Sequence, residues 1–585
     1  MTDLRLFFAA WLLAALCVAC GGGSGDSGGS SSDDDVEDDD TGTDDDFSDD
    51  DQSPDDDDTD DDTDDDDDDD TWSPGDEYIE MLEVDGDVRL RTKVFLPDSV
   101  PSSGVPAVMT RTPYRHADSD SNYEARARAF VDDGYAFVLQ DCRGRGESEG
   151  EFAAYVDEID DGVATSDWIT DQSWSNGAVG TIGASYDAYT ALAAAVGNAR
   201  VRVVIAEEAP NNETGPHKER GTVSKGRLEF LHTLATGDWM SDALITETTN
   251  MLDVSGADLA VLGSADPYWQ ALVQRPNPWD EDWDDRSLLP RVADICAPVL
   301  SIFAMELRWR DPIETWTALR TEACATHFDD QRLMVVPEGH GYHTYVFPFL
   351  STKPGELMRD YVDKYLGGYD VDFTTVPRVQ YAAPGDVLYW VADEWPPETV
   401  ADQILHLDHG VSGGILSTAA AADTDPDDVT VDPATDDPCD GDFDSLTYTS
   451  EPAGAAYYLA GTVVADLFVS ADTADADLFV ELFEIPAVGD RVSIALTQSR
   501  LRYRDESDSP VDGAMVHWPQ DLPPVASKIR AGSRLAIEIR PSHCGFFENP
   551  NTGEDLDAQT HRESVTMTVF HDPSHDSRLI LPIRP

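Results

Sequence analysis

A parallel α/β sheet covered by helices on both faces, followed by an all-β sandwich, is the fold class this sequence predicts. Three observations carry it. Between residues 88 and 340, short apolar runs alternate with helical patterns, the rhythm of strand–helix–strand units. After Tyr369 the helical period vanishes, and short alternating strands broken by Gly, Pro and Asp take over. The chain of 585 residues is 41% hydrophobic, enough to bury a large core.

The N-terminus reads differently. Residues 6–19 form an apolar run between Arg5 and Cys20. That is shorter than the roughly 20 residues a membrane span needs, and it fits the hydrophobic region of a secretory signal. Val18 and Ala19 before Cys20, with Gly-Gly-Gly-Ser after it, resemble a bacterial lipoprotein signal with Cys20 as the lipidated residue. An ordinary signal cut nearby is the alternative, Cys17 standing where that motif usually has Leu.

Residues 21–75 hold 28 acidic residues and no basic one. Such a segment cannot bury enough apolar surface to fold and is expected to be a self-repelling, disordered tether. The Asp runs lack the Gly and Glu spacing of a calcium loop. Over the whole chain, 118 acidic residues face 38 basic ones, a formal charge of −80. That surface repels phosphate backbones, which excludes nucleic acid as a partner. Only six of the basic residues are Lys, so an adaptation to salt is one reading of the acidity.

From Glu77 the pattern becomes globular. Strands are expected at 88–98, 106–114, 135–148, 178–186, 201–209, 298–306 and 332–340, with the Ala-rich stretch 187–197 helical. The chemistry converges after the fourth strand. Gly183-Ala184-Ser185-Tyr186 places a serine on a strand-to-helix turn, the setting of a nucleophile elbow, although Asp187 stands where the pentapeptide usually closes with Gly. An α/β-hydrolase then requires an acid after a later strand and a histidine after the last one. Glu306 ends the 298–306 strand, and His340 follows the last strand inside Gly-His-Gly. Ser185 would attack, His340 would carry the proton, and Glu306 would orient the imidazolium. Asp311 is the alternative acid, and His343 a poorer alternative base.

At these residues the chain resembles the cocaine esterase / Xaa-Pro dipeptidyl-peptidase (S15) family of serine hydrolases, which includes the α-amino-acid ester hydrolases. Arg111-Thr112-Pro113-Tyr114 is similar to that family's R-x-P-Y, and Asp141 through Gly150 to its D-x-R-G-x-x-x-S-E-G. Gly183 to Ala188 follows G-x-S-Y-x-G with Ala in place of the last Gly. The resemblance implies an oxyanion hole made by the Tyr114 hydroxyl and the Tyr186 backbone N–H. It implies a helical cap at about 210–290, whose Trp239, Trp269, Trp279 and Trp283 are mostly core, and a C-terminal jelly roll. Arg310 and Glu314 stand where the family's Arg and Glu follow its acid, which favours Glu306 over Asp311. Departures are Ala304-Met305-Glu306 for G-W-Y-D, and Pro337-Glu338-Gly339-His340 for P-W-x-H.

The expected domains are a signal at 1–20, the tether at 21–75, an α/β-hydrolase domain at 76–370 and a jelly roll at 371–585. The expected function is an exported, lipid-anchored serine hydrolase that cleaves an ester or amide of a small molecule through an acyl-enzyme. No cofactor or metal is called for, and contact with a membrane is expected through the lipid alone. Xaa-Pro dipeptidyl-peptidase or acylase activity is the nearest alternative, disfavoured because the family's peptidases usually carry an extra N-terminal domain. A catalytically degenerate surface-binding lipoprotein is the alternative from another class. Of the cysteines, Cys296–Cys324 and Cys439–Cys544 are conceivable bridges, and Cys142 reads as core. Spacing alone decides neither connectivity nor oligomeric state.

Overall fold

The computed structural model describes residues 72–584, apart from 115–120, 212–219, 228–229, 231–233, 235–276, 278–280, 306–309, 338–353, 385–388, 411–412, 422–424, 434, 440–442, 505–507 and 555–560. Cys20, residues 21–71 of the tether, Glu306, His340, His343, Trp239, Trp269, Trp279 and most of the expected cap lie outside the described residues.

The first sheet has ten strands: β1 (Glu77–Asp85), β2 (Val88–Phe95), β3 (Val105–Thr112), β4 (Ala136–Asp141), β5 (Ser175–Ala184), β6 (Val201–Glu207), β7 (Val299–Ala304), β8 (Arg332–Val336), β9 (Val379–Tyr381) and β10 (Trp390–Ala392). Their spatial order is β1-β2-β4-β3-β5-β6-β7-β8-β9-β10. β4, β7 and β8 are buried at every residue, which is why they read as largely apolar runs rather than as alternating ones. Helices α1 (Ser121–Asp132), α2 (Glu158–Asp171), α3 (Tyr186–Ala193), α4 (Asp311–Thr321) and α5 (Pro354–Tyr365) connect them.

The parallel sheet expected from the sequence forms the centre, and both edges add antiparallel strands. β1 and β2 form an antiparallel hairpin, and β2 lies antiparallel to β4. Gly86 takes a φ of 61° in the two-residue turn between β1 and β2, too short a link for a parallel crossover. At the far edge β9 runs parallel to β8 and β10 antiparallel to β9. β9 and β10, read from sequence as part of the sandwich, thus pair with the first sheet.

The strand order places the site. After β3 the chain passes through α1 to β4 on one side, then returns through α2 to β5 on the other side of β3. β3 and β5 are parallel neighbours whose continuations diverge, the switch point where open α/β sheets form a crevice at their carboxyl ends. Tyr114 follows β3 and Ser185 follows β5.

The second sheet is all-β, with thirteen strands between Ala401 and Arg584. It closes over a core in which alternate residues of each strand point inward, such as Leu467, Val469 and Ala471 against Leu478, Val480 and Leu482. From Pro74 onward the two halves form one compact unit. Phe303, Ile313, Trp316 and Tyr381 of the first half share a core with Ala460 and Ala526 of the second. A second contact joins residues 220–225 to the all-β half: Arg500 N–H donates to Arg220 C=O at 2.9 Å, and Phe547 N–H to Val223 C=O at 2.9 Å. Both conceivable bridges are formed, Cys296–Cys324 and Cys439–Cys544, while Cys142 is a free, buried thiol.

Candidate active site

Ser185 sits between β5 and α3 with φ 58° and ψ −127°, a conformation most side chains avoid. The surroundings enforce it. Ser185 N–H donates to Glu207 C=O on β6 at 2.9 Å, and Ser185 C=O accepts the N–H groups of Ala188 and Tyr189 at 2.9 and 3.3 Å. A Cβ on Gly183 would overlap the backbone carbonyl of Asp187, so the turn closes only with glycine there. The serine side chain is left half-buried at the mouth of the crevice.

Tyr114 reaches across from β3. Its hydroxyl donates to Ser185 Oγ at 3.3 Å and accepts the backbone N–H of Tyr186 at 3.3 Å. The serine and both expected oxyanion donors thus meet around one point, where two donors can face an oxygen bearing developing negative charge.

The Tyr186 ring is locked behind the site. It is fully buried, stacks on Tyr155 at 4.5 Å between centroids, donates its hydroxyl to Glu158 Oε1 at 3.1 Å and accepts the N–H of Tyr155 at 2.7 Å. Burial, then the nearby Glu158 charge, pushes its phenol well above the usual tyrosine range. Glu158 pairs with Arg111 at 3.0 Å, and Arg111 also donates to Gln140 Oε1 at 2.8 Å and to Glu158 C=O at 2.8 Å.

The Asp141–Gly150 segment braces the loop that carries Tyr114. Arg145 Nε donates to Pro113 C=O at 2.9 Å, Arg143 pairs with Asp161 at 2.6 Å, and Ser148 Oγ donates to Asp141 C=O at 2.7 Å. Gly146, at φ 56°, leaves room for the Asp141 carboxylate, which a Cβ there would overlap. Cys142 Sγ lies 3.5 Å from Glu158 Oε2, and burial pushes its thiol up, as an inert core cysteine requires.

Asp311, the alternative acid, is buried in the first turn of α4, where its charge complements the helix N-terminus. Two groups behind the site carry no spacing signal in the sequence, Glu158 on α2 and Tyr123 on α1, and a third, Thr112, the last residue of β3, stands at the variable position of R-x-P-Y. Tyr123 Oη donates to Asp187 Oδ2 at 2.6 Å and lies 2.9 Å from Thr112 Oγ1. Burial raises the Asp187 carboxyl to about 7. Among the described residues, no group of His, Cys, Asp and Glu is arranged to hold a metal ion.

A serine on a strained strand-to-helix turn at the switch point of an α/β sheet defines a serine hydrolase of the α/β-hydrolase class. Residues 85–342 match the family model of the X-Pro dipeptidyl-peptidase (S15 family), and residues 372–580 match that of the X-Pro dipeptidyl-peptidase C-terminal non-catalytic domain. The chain belongs to this family. It is 27% identical to the cocaine esterase of a Rhodococcus species, over 86% of this chain and 97% of that protein. Among solved structures it is similar to an α-amino acid ester hydrolase, with a TM-score of 0.72, 22% identity, and coverage of 87% of this chain and 96% of the other. It is likewise similar to an aminopeptidase from a marine sediment Thaumarchaeota archaeon, with a TM-score of 0.73, 20% identity, and coverage of 88% and 98%.

Proposed function

We propose that this chain is an esterase that works through an acyl-enzyme on Ser185, with His340 as the general base and Glu306 as the acid that orients it. Ser185 Oγ attacks the ester carbonyl carbon and its proton passes to His340. The carbonyl oxygen becomes an oxyanion facing the Tyr186 N–H and the Tyr114 hydroxyl. Collapse expels the alcohol, which takes the proton from His340. Water then hydrolyses the acyl-Ser185 ester by the same route. The observation that carries this reading is the left-handed Ser185 with Tyr114 Oη 3.3 Å from its Oγ. An ester of a small or aromatic acid is preferred as substrate over an Xaa-Pro peptide. The support is the cocaine esterase, which this chain matches over nearly that protein's whole length.

The N-terminal run and Cys20 support export and lipid anchoring, with residues 21–75 as the spacer. Replacing Cys20 by Ser should release the protein from the membrane fraction.

The deciding experiment is hydrolysis of a panel of p-nitrophenyl esters by the full chain and by Ser185→Ala. Activity lost in the variant supports the nucleophile, and the preferred acyl chain begins to define the pocket. Equal rates in both proteins, or none in either at low and high salt, would favour the surface-binding alternative.

A further inference from the structure

The hydrogen bonds behind the crevice form a chain with one direction. Tyr114 N–H donates to Thr112 Oγ1 at 3.2 Å. Thr112 Oγ1 and Tyr123 Oη are 2.9 Å apart, and Tyr123 Oη–H donates to Asp187 Oδ2 at 2.6 Å. A hydroxyl has one proton to give, so a tyrosine that donates to Asp187 must accept from Thr112. The order is therefore Tyr114 N–H to Thr112, Thr112 O–H to Tyr123, and Tyr123 O–H to Asp187. Thr112, Tyr123 and Asp187 are all buried, so these bonds run in a low-dielectric interior where successive donors polarise one another.

The chain links three elements, the third of them distant in the sequence from the other two. Thr112 ends β3, Tyr123 lies on α1, and Asp187 lies in the first turn of α3, two residues after Ser185. We propose that Asp187 is a positioning residue, which through Tyr123 and Thr112 holds the Tyr114 backbone so that the Tyr114 hydroxyl stays aligned with the Ser185 turn. The proposal rests on the reading of Ser185 as nucleophile and Tyr114 as oxyanion donor. An acid at 187, where the pentapeptide usually has Gly, then has a use, since its Oδ2 accepts the Tyr123 hydroxyl and so sets the direction of the donors above it. The phenol of Tyr114 is the far end of a long side chain, so a small rotation of its backbone moves the hydroxyl appreciably. A displacement of about 1 Å at a reacting group costs about 100-fold in rate.

The test is a set of variants assayed on an ester the wild type cleaves: Tyr123→Phe, Thr112→Val, Thr112→Ser, Asp187→Asn, Tyr114→Phe and the double variant Tyr114→Phe/Tyr123→Phe. Tyr123→Phe, Thr112→Val and Asp187→Asn are expected to lower kcat by about 10-fold or more with KM within about 2-fold, the split expected when transition-state contacts alone are lost. Thr112→Ser, which keeps the hydroxyl, should retain wild-type kcat. In the Tyr114→Phe background, Tyr123→Phe should have no further effect, because the chain acts through the hydroxyl already removed. Unchanged kcat in Tyr123→Phe and Thr112→Val, or the same loss with and without the Tyr114 hydroxyl, overturns the proposal. Labelling of the active serine by a fluorophosphonate separates the two levels. If Ser185→Ala is still labelled, the underlying reading fails; if labelling needs Ser185 and the cycle is additive, only the positioning role fails.

Discussion

Arg111 and Glu158 form an ion pair buried beneath both tyrosines of the crevice, with Arg111 Nη1 3.0 Å from Glu158 Oε2. Arg111 stands three residues before Tyr114, and Glu158 accepts the Tyr186 hydroxyl, so one pair supports both sides of the expected oxyanion hole. Burial raises the Glu158 carboxyl, and the Arg111 charge pulls it back towards the ionised form. Removing one partner strands the other charge. Arg111→Met should therefore lose about 3–5 kcal/mol of stability. Arg111→Lys should recover little of it, since an ammonium cannot span Gln140 and Glu158 as the guanidinium does. Denaturant unfolding measures both, and an Arg111→Lys as stable as wild type would count against this account.

The Ser185 turn depends on Gly183. A Cβ there meets the carbonyl of Asp187, which is backbone and cannot swing aside. Gly183→Ala should open the turn, displace Ser185 Oγ from Tyr114 and lower kcat by about 100-fold. Steady-state kinetics read this directly, and activity within a few-fold of wild type would show that the turn tolerates a side chain.

Much of this arrangement can be read in the residues themselves, and the limits have physical causes. β4, β7 and β8 are buried throughout and mostly apolar because both faces of the sheet are covered, their polar residues Gln140, Asp141, Ser301 and Arg332 being buried with them. Ser185 announces itself because its strained turn closes only with glycine at 183. By contrast β1 is half-exposed and carries Glu77, Glu80, Glu83 and Asp85, so its composition resembles a loop. Whether β2 runs parallel or antiparallel depends on the short turn before it rather than on its own pattern. β9 and β10 are three-residue strands whose sheet is chosen by tertiary contact. Asp187 is visible in sequence only as a departure from Gly, since Tyr123 lies 64 residues away in the chain and no spacing links them.

The acid can be assigned by comparing two conservative variants. Asp311 is buried in the first turn of α4, where a carboxylate stabilises the helix end. Asp311→Asn should lower Tm and leave kcat within a few-fold. Glu306→Gln should lower kcat by about 10,000-fold with little change in Tm, as loss of a triad carboxylate does. The opposite pattern would transfer the role to Asp311.

The Cys439–Cys544 bridge closes a span of 105 residues, beside the segment where Gly545 and Phe547 bond to Lys225 and Val223. Cross-links over such long loops contribute on the order of 4 kcal/mol, largely through the unfolded state. Replacing both cysteines by Ser should lower Tm, and it should raise KM more than it lowers kcat, because the 220–227 segment loses part of its anchor. An unchanged KM would confine the bridge to stability.

Asp187 should leave a signature in the pH dependence of stability. Burial lifts its carboxyl to about 7, against the hydrogen bond from Tyr123 and the Arg126 charge, while the Glu158 charge adds to the rise. In the unfolded chain the same group titrates near about 3.9. Between those values the folded protein binds the extra proton, so stability falls as pH rises through that window. The contribution is full below about 4 and is gone once the group ionises above about 7. Asp187→Asn removes it. The Tm of wild type relative to Asp187→Asn should therefore be higher at about pH 5 than at about pH 8, on the same linkage argument. Calorimetry across that range, with Glu158→Gln as a control for the neighbouring carboxyl, decides the matter. A Tm difference that stays flat from acid to alkaline pH would mean that Asp187 keeps an ordinary pKa in the folded protein.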